Sequence, residues 1–257
     1  MLIDTHAHLY LPRFDEDRDA VLARALENGI EKIYLPNVDS TTIESMLALE
    51  AAYPKRCFAM MGLHPCSVKE NVAEELSLMK KWLDKRTFCA VGEIGIDLYW
   101  DKTFFDAQKK AFHEQIGWAI DLDVPIVIHS RESTDIVIEI LKERKHPKLR
   151  GIFHCFSGNA DQAQQIIKLG FYLGIGGVLT YKKSTLPDAI REVPLEWLVL
   201  ETDAPYLTPV PFRGKRNESA YIHQIATTLA SIKQLPFEKI SEQTTNNARQ
   251  IFDKQKN

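Results

Sequence analysis

Residues 2–8 read LIDTHAH, a short apolar run that ends in an aspartate and two histidines. The same arrangement, a few apolar residues followed by ionisable ones, returns along the chain as far as residues 198–203, LVLETD. Short β-branched and aromatic runs of this kind are typical of buried strands. They predict eight strands, at residues 2–3, 33–35, 58–63, 88–91, 126–128, 152–153, 172–175 and 198–200.

The segments between these runs have helical spacing. In residues 21–26 and again in residues 105–120, apolar side chains return every three or four positions, as in a helix that packs one face on a sheet. Gly29 and Gly170 stand where a helix should end, just before an apolar run. Asn159 and Gln162 have the spacing of a capping box at a helix start. Strands and helices therefore alternate.

Each strand and helix together take about 28 residues, the size of a βαβ unit. Eight such units predict an α/β fold, a (βα)₈ TIM barrel that forms a single domain over residues 1–257, with an extra C-terminal helix. A doubly wound open sheet is the alternative, but no G-x-G-x-x-G motif follows a strand. No low-complexity linker or change in composition marks a second domain.

Composition excludes several classes of protein. The 32 Lys and Arg residues against 35 Asp and Glu residues give a net charge of −3, so no overall positive field attracts a polyanion. The longest apolar runs have the length of strands, and Asp4 stands where a signal peptide would carry basic residues, which argues against a membrane span and a secretion signal. The four cysteines are scattered and form no C-x-x-C pair, as in proteins with reduced thiols. We therefore expect a cytoplasmic protein.

Ionisable side chains gather at the predicted strand ends. The carboxyl ends of barrel strands share one face, where barrel enzymes place their active sites. A single histidine there is more often an ordinary hydrogen-bonding group than a ligand, but burying so many unpaired polar groups would cost several kcal/mol each. Metal coordination removes this cost, and the candidate ligands are His6, His8, Glu93, His129, His154 and Asp203.

Six ligands exceed the three or four of one open tetrahedral site, so we predict two divalent ions. In the expected division, His6, His8 and Asp203 hold one ion and His129 and His154 hold the other, while Glu93 bridges both. Mixed imidazole and carboxylate ligands favour Zn²⁺, Mn²⁺ or Fe²⁺ over an all-oxygen Mg²⁺ site, and they leave Mg²⁺ open.

Seven motifs carry a resemblance to a known family: DTHAHL, GLHP, VGEIGIDLYW, PIVIHSRE, FHCFSG, LETDAPYL and RGKRNE, in this order. The chain resembles the TatD-type metal-dependent deoxyribonucleases over almost its whole length. The resemblance implies a TIM barrel of the metallo-dependent hydrolase superfamily, dependence on divalent metal and hydrolysis of DNA phosphodiesters. It also implies the same six ligands as those named above.

Further residues are candidates for substrate binding and catalysis. Asp203 could both bind metal and accept a proton from water. His64 and Arg131 could bind phosphate at the barrel mouth. A long loop after the last strand offers three basic residues for a DNA backbone: Arg213, Lys215 and Arg216. Aromatic residues after the strands could stack on unpaired bases, which favours single strands or frayed ends and exonuclease-like cleavage; they are Tyr99, Trp100, Phe104, Tyr181, Tyr206 and Phe212.

Two other functions stay open. The same barrel could hydrolyse small-molecule phosphoesters, amides or lactones. A non-enzymatic barrel could hold a structural ion as a binding or scaffold protein. DNA is the expected partner, and neither a membrane nor an obligate protein partner is indicated.

Overall fold

A computed structural model describes residues 1–253 of the chain. Its eight strands follow the chain order, and their bounds are β1 Leu2–Asp4, β2 Ile30–Leu35, β3 Cys57–Ala59, β4 Val91–Asp97, β5 Ile126–Arg131, β6 Gly151–Phe153, β7 Phe171–Ile175 and β8 Leu198–Leu200.

Nine α-helices alternate with these strands or follow them in the described part of the chain: α1 Arg18–Glu27, α2 Ile43–Ala52, α3 Val72–Lys85, α4 Phe105–Leu122, α5 Thr134–Glu143, α6 Ala160–Lys168, α7 Leu186–Ile190, α8 Ile222–Lys233 and α9 Phe237–Phe252. The predicted signals at helix ends are confirmed. Gly29 and Gly170 follow α1 and α6 with positive φ angles of 72° and 84°, and Asn159 and Gln162 form the capping box of α6. Among residues 1–253, no helix is both long and apolar enough to cross a membrane.

All strand pairs are parallel, as expected for a barrel. Strands β1–β3 form one hydrogen-bonded ladder and β4–β8 form another. Backbone hydrogen bonds cross both gaps between the ladders. Thr5 N donates to Leu200 O at 3.1 Å between β1 and β8, and Gly92 N donates to Met61 O at 3.1 Å between β3 and β4. The eight strands therefore follow one another around a TIM-type barrel, which confirms the predicted fold.

Several strands differ from their predicted bounds: β2 begins at Ile30 rather than residue 33, and β5 ends at Arg131 rather than residue 128. The third and fourth strands differ most. The strand β3 ends at Ala59, whereas the apolar run predicted a strand to residue 63. The strand β4 begins at Val91, which is the last residue of its predicted range. The strand β4 continues through two glycines, Gly92 and Gly95, that resemble a turn in the sequence. A Cβ at Gly92 would lie 2.9 Å from that of Val127 on β5. Close approach of the strands therefore requires glycine there, and this packing outweighs the low strand propensity of glycine.

The inside of the barrel holds a small apolar cluster with one residue from each strand or its edge: Ile3, Tyr34, Met60, Ala90, Val127, Ile152, Tyr172 and Val199. Only the barrel interior brings members of all eight strands together. Ala248, Ile251 and Phe252 of α9 join this cluster, and the Phe252 ring stacks on Tyr34 at 3.8 Å. The predicted extra C-terminal helix therefore covers the amino-terminal end of the barrel and leaves the carboxyl end for the site.

Candidate metal centre

Strand periodicity directs several predicted ligands into the barrel. Val127 and Ile152 lie in the inner cluster, so the side chains two residues later, on His129 and His154, face the same interior nearer the carboxyl end. Glu93 and His129 lie within β4 and β5, whereas the sequence predicted that they follow the strands. The difference arises because the β4–β5 ladder continues to Asp97 and Arg131. All six predicted ligands meet in one centre.

The first donor group consists of His6, His8, Asp203 and the Oε2 atom of Glu93. The two histidine Nε2 atoms lie 3.2 Å apart. Oε2 of Glu93 lies 3.1 Å from Nε2 of His6 and 3.6 Å from Nε2 of His8. Oδ1 of Asp203 lies 3.7 Å and 3.5 Å from the same nitrogens. Four potential ligand atoms of one set therefore surround one position, as the predicted division requires.

The second donor group consists of His129, His154 and the Oε1 atom of Glu93, and His64 lies beside it. Oε1 lies 2.8 Å from Nδ1 of His129, 3.4 Å from Nε2 of His154 and 3.3 Å from Nε2 of His64. The two oxygens of Glu93 thus face different sets of nitrogens. This is the arrangement expected of a bridging carboxylate.

A backbone hydrogen bond determines the tautomer of His64. Its Nδ1 accepts a hydrogen bond of 3.0 Å from the backbone N–H of Cys66. A neutral ring that accepts at Nδ1 carries its proton on Nε2, the nitrogen that faces Glu93. His64 therefore presents an N–H donor to the centre. This agrees with the sequence-based hypothesis of a phosphate-binding residue.

The centre is buried, and its carboxylates and histidines change one another's pKa values. Burial by itself would raise the pKa of Glu93, but the charges of His64, His154 and His6 hold it well below its usual range. Burial would lower the pKa of His154, but the carboxylates of Glu201 and Glu93 raise it to about 10. Carboxylates also raise the pKa of His129 against the effect of its burial. The carboxylates therefore favour positive charge in their midst.

Two buried carboxylates support the second donor group, and sequence reasoning missed both. Oδ2 of Asp97 lies 2.8 Å from Nε2 of His129, and Oε1 of Glu201 lies 2.9 Å from Nδ1 of His154. Outer carboxylates of this kind fix the ring orientation of histidine ligands. The two-residue period of a strand could have indicated both, because residues two or four apart point to the same face. Asp97 is four residues after Glu93, and Glu201 is two residues before Asp203.

These residues fit divalent metal. Imidazole nitrogens and carboxylate oxygens are the ligands that Zn²⁺ and Mn²⁺ accept, and the second group has the carboxylate partners that metal-binding histidines commonly have. The buried Oε2 of Glu201 has no hydrogen-bond partner among the described residues, so this part of the centre retains an oxygen that can accept a further donor or cation. The side chains of Asp203 and His129 are 13% and 17% exposed, which leaves one side open to a substrate.

The basic residues predicted to bind substrate have different surroundings. Arg216 forms hydrogen bonds of 2.8 and 2.7 Å to the two carboxylate oxygens of Asp17, so its charge is already paired. Arg213 donates to the hydroxyl of Tyr181 at 2.6 Å. Lys215 is exposed, and in residues 1–253 it makes no ion pair. Arg131, at the end of β5, is exposed and packs on an aromatic ring.

Comparison with known proteins agrees with the geometry. The family described as TatD related DNase matches residues 3–253. YabD, an uncharacterized metal-dependent hydrolase of Bacillus subtilis (strain 168), is 39% identical over 253 residues, which cover 98% of this chain and 99% of that protein. The crystal structure of YjjV, a TatD homologue from Escherichia coli K12, has a TM-score of 0.93 and 33% identity and covers 98% of both chains. A TatD-family hydrolase from Entamoeba histolytica shares the fold at 24% identity, with a TM-score of 0.82 and 98% coverage of both chains. The resemblance inferred from the seven motifs is confirmed, and the chain belongs to the TatD-related DNases, a family of metal-dependent hydrolases.

Proposed function

We propose that this protein hydrolyses phosphodiester bonds of DNA with two divalent metal ions, and that it prefers single strands or frayed ends. The observation that carries the proposal is the carboxylate of Glu93, whose two oxygens face separate sets of nitrogens at 2.8–3.6 Å. Zn²⁺ or Mn²⁺ suits these ligands best. The intact thiols agree with the expected cytoplasmic location, because all four cysteines are free.

In this proposal His6, His8, Asp203 and Glu93 would hold one ion, and Glu93, His129 and His154 the other. Two such ions supply a water of lowered pKa and withdraw negative charge from a phosphodiester. Burial would raise the pKa of Asp203, but the hydrogen bond from His8 and the charges of His154 and His6 lower it. Asp203 is therefore ionised at neutral pH and can accept the proton of the attacking water.

His64 would orient the substrate. Its Nε2–H is aimed into the centre because Cys66 fixes the tautomer, so it can donate to a phosphate oxygen that arrives beside the second donor group. Arg131, Arg213 and Lys215 are the basic side chains of the predicted set that make no ion pair among the described residues, so their charge is available for a DNA backbone. Arg216 is held by Asp17 and would serve mainly to anchor the loop after β8.

The proposal is tested by a matched activity screen. Protein loaded with Zn²⁺, Mn²⁺ or Mg²⁺ is offered single-stranded DNA, duplex DNA, RNA, a small phosphodiester and a panel of lactones and amides. We expect cleavage of single-stranded DNA that chelation abolishes and that metal restores. Turnover of the small substrates alone would instead support the other hydrolase function, and no turnover of any substrate would support a scaffold role.

A variant of Glu93 tests the role of the bridging carboxylate separately from the stability of the fold. Glu93→Gln keeps the shape of the side chain but removes the charge that both donor groups share, so we expect loss of cleavage with an unchanged circular dichroism spectrum. Glu70→Gln, a change at an exposed glutamate, is the matched control and should retain full activity. Cleavage by Glu93→Gln at the rate of the control would contradict the proposed role of the bridge.

A further inference from the structure

Two of the most exposed aromatic side chains of the described chain lie next to each other beside the metal centre. Trp100 is 69% exposed and Tyr99 is 48% exposed. They belong to the loop between β4 and α4, which leaves the barrel at the carboxyl end of the strand that carries Glu93. Large rings exposed side by side have a cost in water, and exposed apolar patches commonly mark sites of interaction.

The loop is anchored to the centre by Asp97. Oδ1 of this buried carboxylate accepts the backbone N–H groups of Tyr99 at 2.9 Å and Trp100 at 3.0 Å. Its other oxygen, Oδ2, lies 2.8 Å from Nε2 of His129 in the second donor group. A second anchor lies further along, where Lys69 donates to Asp101 at 2.6 Å. The backbone that carries the two rings is therefore anchored next to the centre.

Arg131 completes the group from the neighbouring strand. It lies two residues after His129 on β5, on the same face, and its register partner across the ladder is Asp97. Its guanidinium carbon lies 3.7 Å from the centre of the Tyr99 ring and 5.4 Å from that of Trp100. Among the described residues the guanidinium makes no hydrogen bond or ion pair. Stacking on a ring leaves its N–H groups free at the edge, where they can bind a phosphate.

The three side chains have distinct roles by geometry. One face of Tyr99 is covered by Arg131, and the planes of Tyr99 and Trp100 meet at 87°. Trp100, which is the more exposed ring, is thus the surface on which a flat ligand can stack, while Tyr99 orients the guanidinium. A flat ring with an anionic group attached is the chemistry of a nucleotide.

We propose that Trp100, Tyr99 and Arg131 form a subsite that stacks one unpaired nucleobase and binds the phosphate beside it. This inference rests on the proposed function, since it supplies the preference of that centre for single strands. A base within a duplex is stacked on its neighbours and cannot lie on Trp100, whereas an unpaired base is free to do so. The subsite should therefore select for the unpaired state and accept any base.

The test measures binding without turnover. Chelated protein is titrated with a short oligothymidylate, and tryptophan fluorescence is recorded, because a base that stacks on an exposed indole quenches its emission. We expect quenching by the oligothymidylate, and little by a blunt duplex or by a strand of abasic nucleotides at the same concentration. Stacking contributes about 1–3 kcal/mol per base, so Trp100→Ala should weaken binding by about 5- to 150-fold.

Conservative variants identify the interaction. Trp100→Phe should restore most of the affinity, measured by anisotropy of a labelled strand, but lose the quenching. Arg131→Lys keeps the charge and loses the planar group, so it should bind less tightly than the wild type and more tightly than Arg131→Ala. Leu26→Ala, at a side chain 50% exposed on α1, is the control and should bind like the wild type.

The outcomes separate this inference from the proposed function. If chelated protein binds single strands through Trp100 but metal-loaded protein cleaves no DNA, the subsite stands and the nuclease proposal fails. If DNA is cleaved and Trp100→Ala and Arg131→Ala both bind oligothymidylate as the wild type does, the subsite is refuted. If Trp100→Ala changes only the sedimentation coefficient, the patch is a contact between copies of the chain, and the subsite is equally refuted.

Discussion

Replacing Asp97 with asparagine should weaken metal binding through His129. The change puts an amide NH₂ group, instead of a carboxylate oxygen, next to Nε2 of this histidine. The amide oxygen of asparagine can still accept the N–H groups of Tyr99 and Trp100, so the loop keeps its anchor. Its NH₂ group would then face Nε2 of His129, where the carboxylate oxygen now lies at 2.8 Å. To accept a hydrogen bond from this NH₂ group, Nε2 of His129 must be unprotonated, and the ring proton then lies on Nδ1.

This change of tautomer affects the nitrogen that faces the second donor group. Nδ1 of His129 lies 2.8 Å from Oε1 of Glu93, and once protonated it has no lone pair to offer an ion. A hydrogen bond between charged groups contributes about 1.5–3 kcal/mol. Outer carboxylates typically contribute 10- to 100-fold in metal affinity. We therefore expect the ion at the second donor group to bind about 10- to 100-fold more weakly, and the ion at the first group to bind as before.

Isothermal titration of the metal-free protein with Zn²⁺ or Mn²⁺ measures both affinities in one experiment. Asp101→Asn is the matched control, because it changes a carboxylate of the same loop whose partner is Lys69 rather than a histidine of the centre. A crystal structure or proton-detected NMR of the variant would report the tautomer. Two unchanged affinities in Asp97→Asn would refute the reasoning that this carboxylate sets the state of His129.

The remaining predictions concern stability and reactivity. A Cβ at Gly174 would overlap the Oε2 atom of Glu201 and lie 3.2 Å from the Cα of His154, so Gly174→Ala should cost about 1–3 kcal/mol and lower Tm in calorimetry by about 2–12 °C. Gly117→Ala, in the middle of α4 with its nearest neighbouring atom at 3.7 Å, should instead stabilise by about 0.5–1 kcal/mol; an equal loss in both variants would contradict the steric argument. Burial raises the pKa of the Cys57 thiol to about 12, which leaves roughly one thiolate in 10⁴ near pH 8. After treatment with an alkylating reagent, mass spectrometry should find Cys57 unmodified in the native protein and modified after denaturation. Rapid modification of the native protein would instead show that the site of Cys57 opens.

The parts of the centre that the sequence predicted are those with a local pattern. The strands could be located from apolar runs, although the ends of β3, β4 and β5 could not. Residues such as His129 and His154 follow because the strand period carries the interior face forward from Val127 and Ile152. The alternation of strand and helix was enough to predict the barrel.

The parts that were missed depend on contacts between distant segments. The extent of β4 is set by close approach to β5, where Gly92 meets Val127, and no feature of the glycine-rich sequence reveals this neighbour. Asp97 acquires its role only because His129 lies across the ladder. The sequence suggested that Arg216 is an unpaired cation in its loop, but Asp17, which lies 199 positions earlier in the chain, pairs with it.

The junction of β1 and β8 bears on how the protein is made. Asp203 N donates to His6 O at 2.9 Å and His8 N donates to Ala204 O at 2.7 Å, so the first donor group lies across the seam between the first and last strands. During synthesis His6 and His8 leave the ribosome almost two hundred residues before Asp203 does. The complete first donor group is therefore absent from a nascent chain until its final strand has docked. In the proposed centre, metal binding at this group would therefore follow closure of the barrel, and a bound ion would stabilise the contact between the first and last strands.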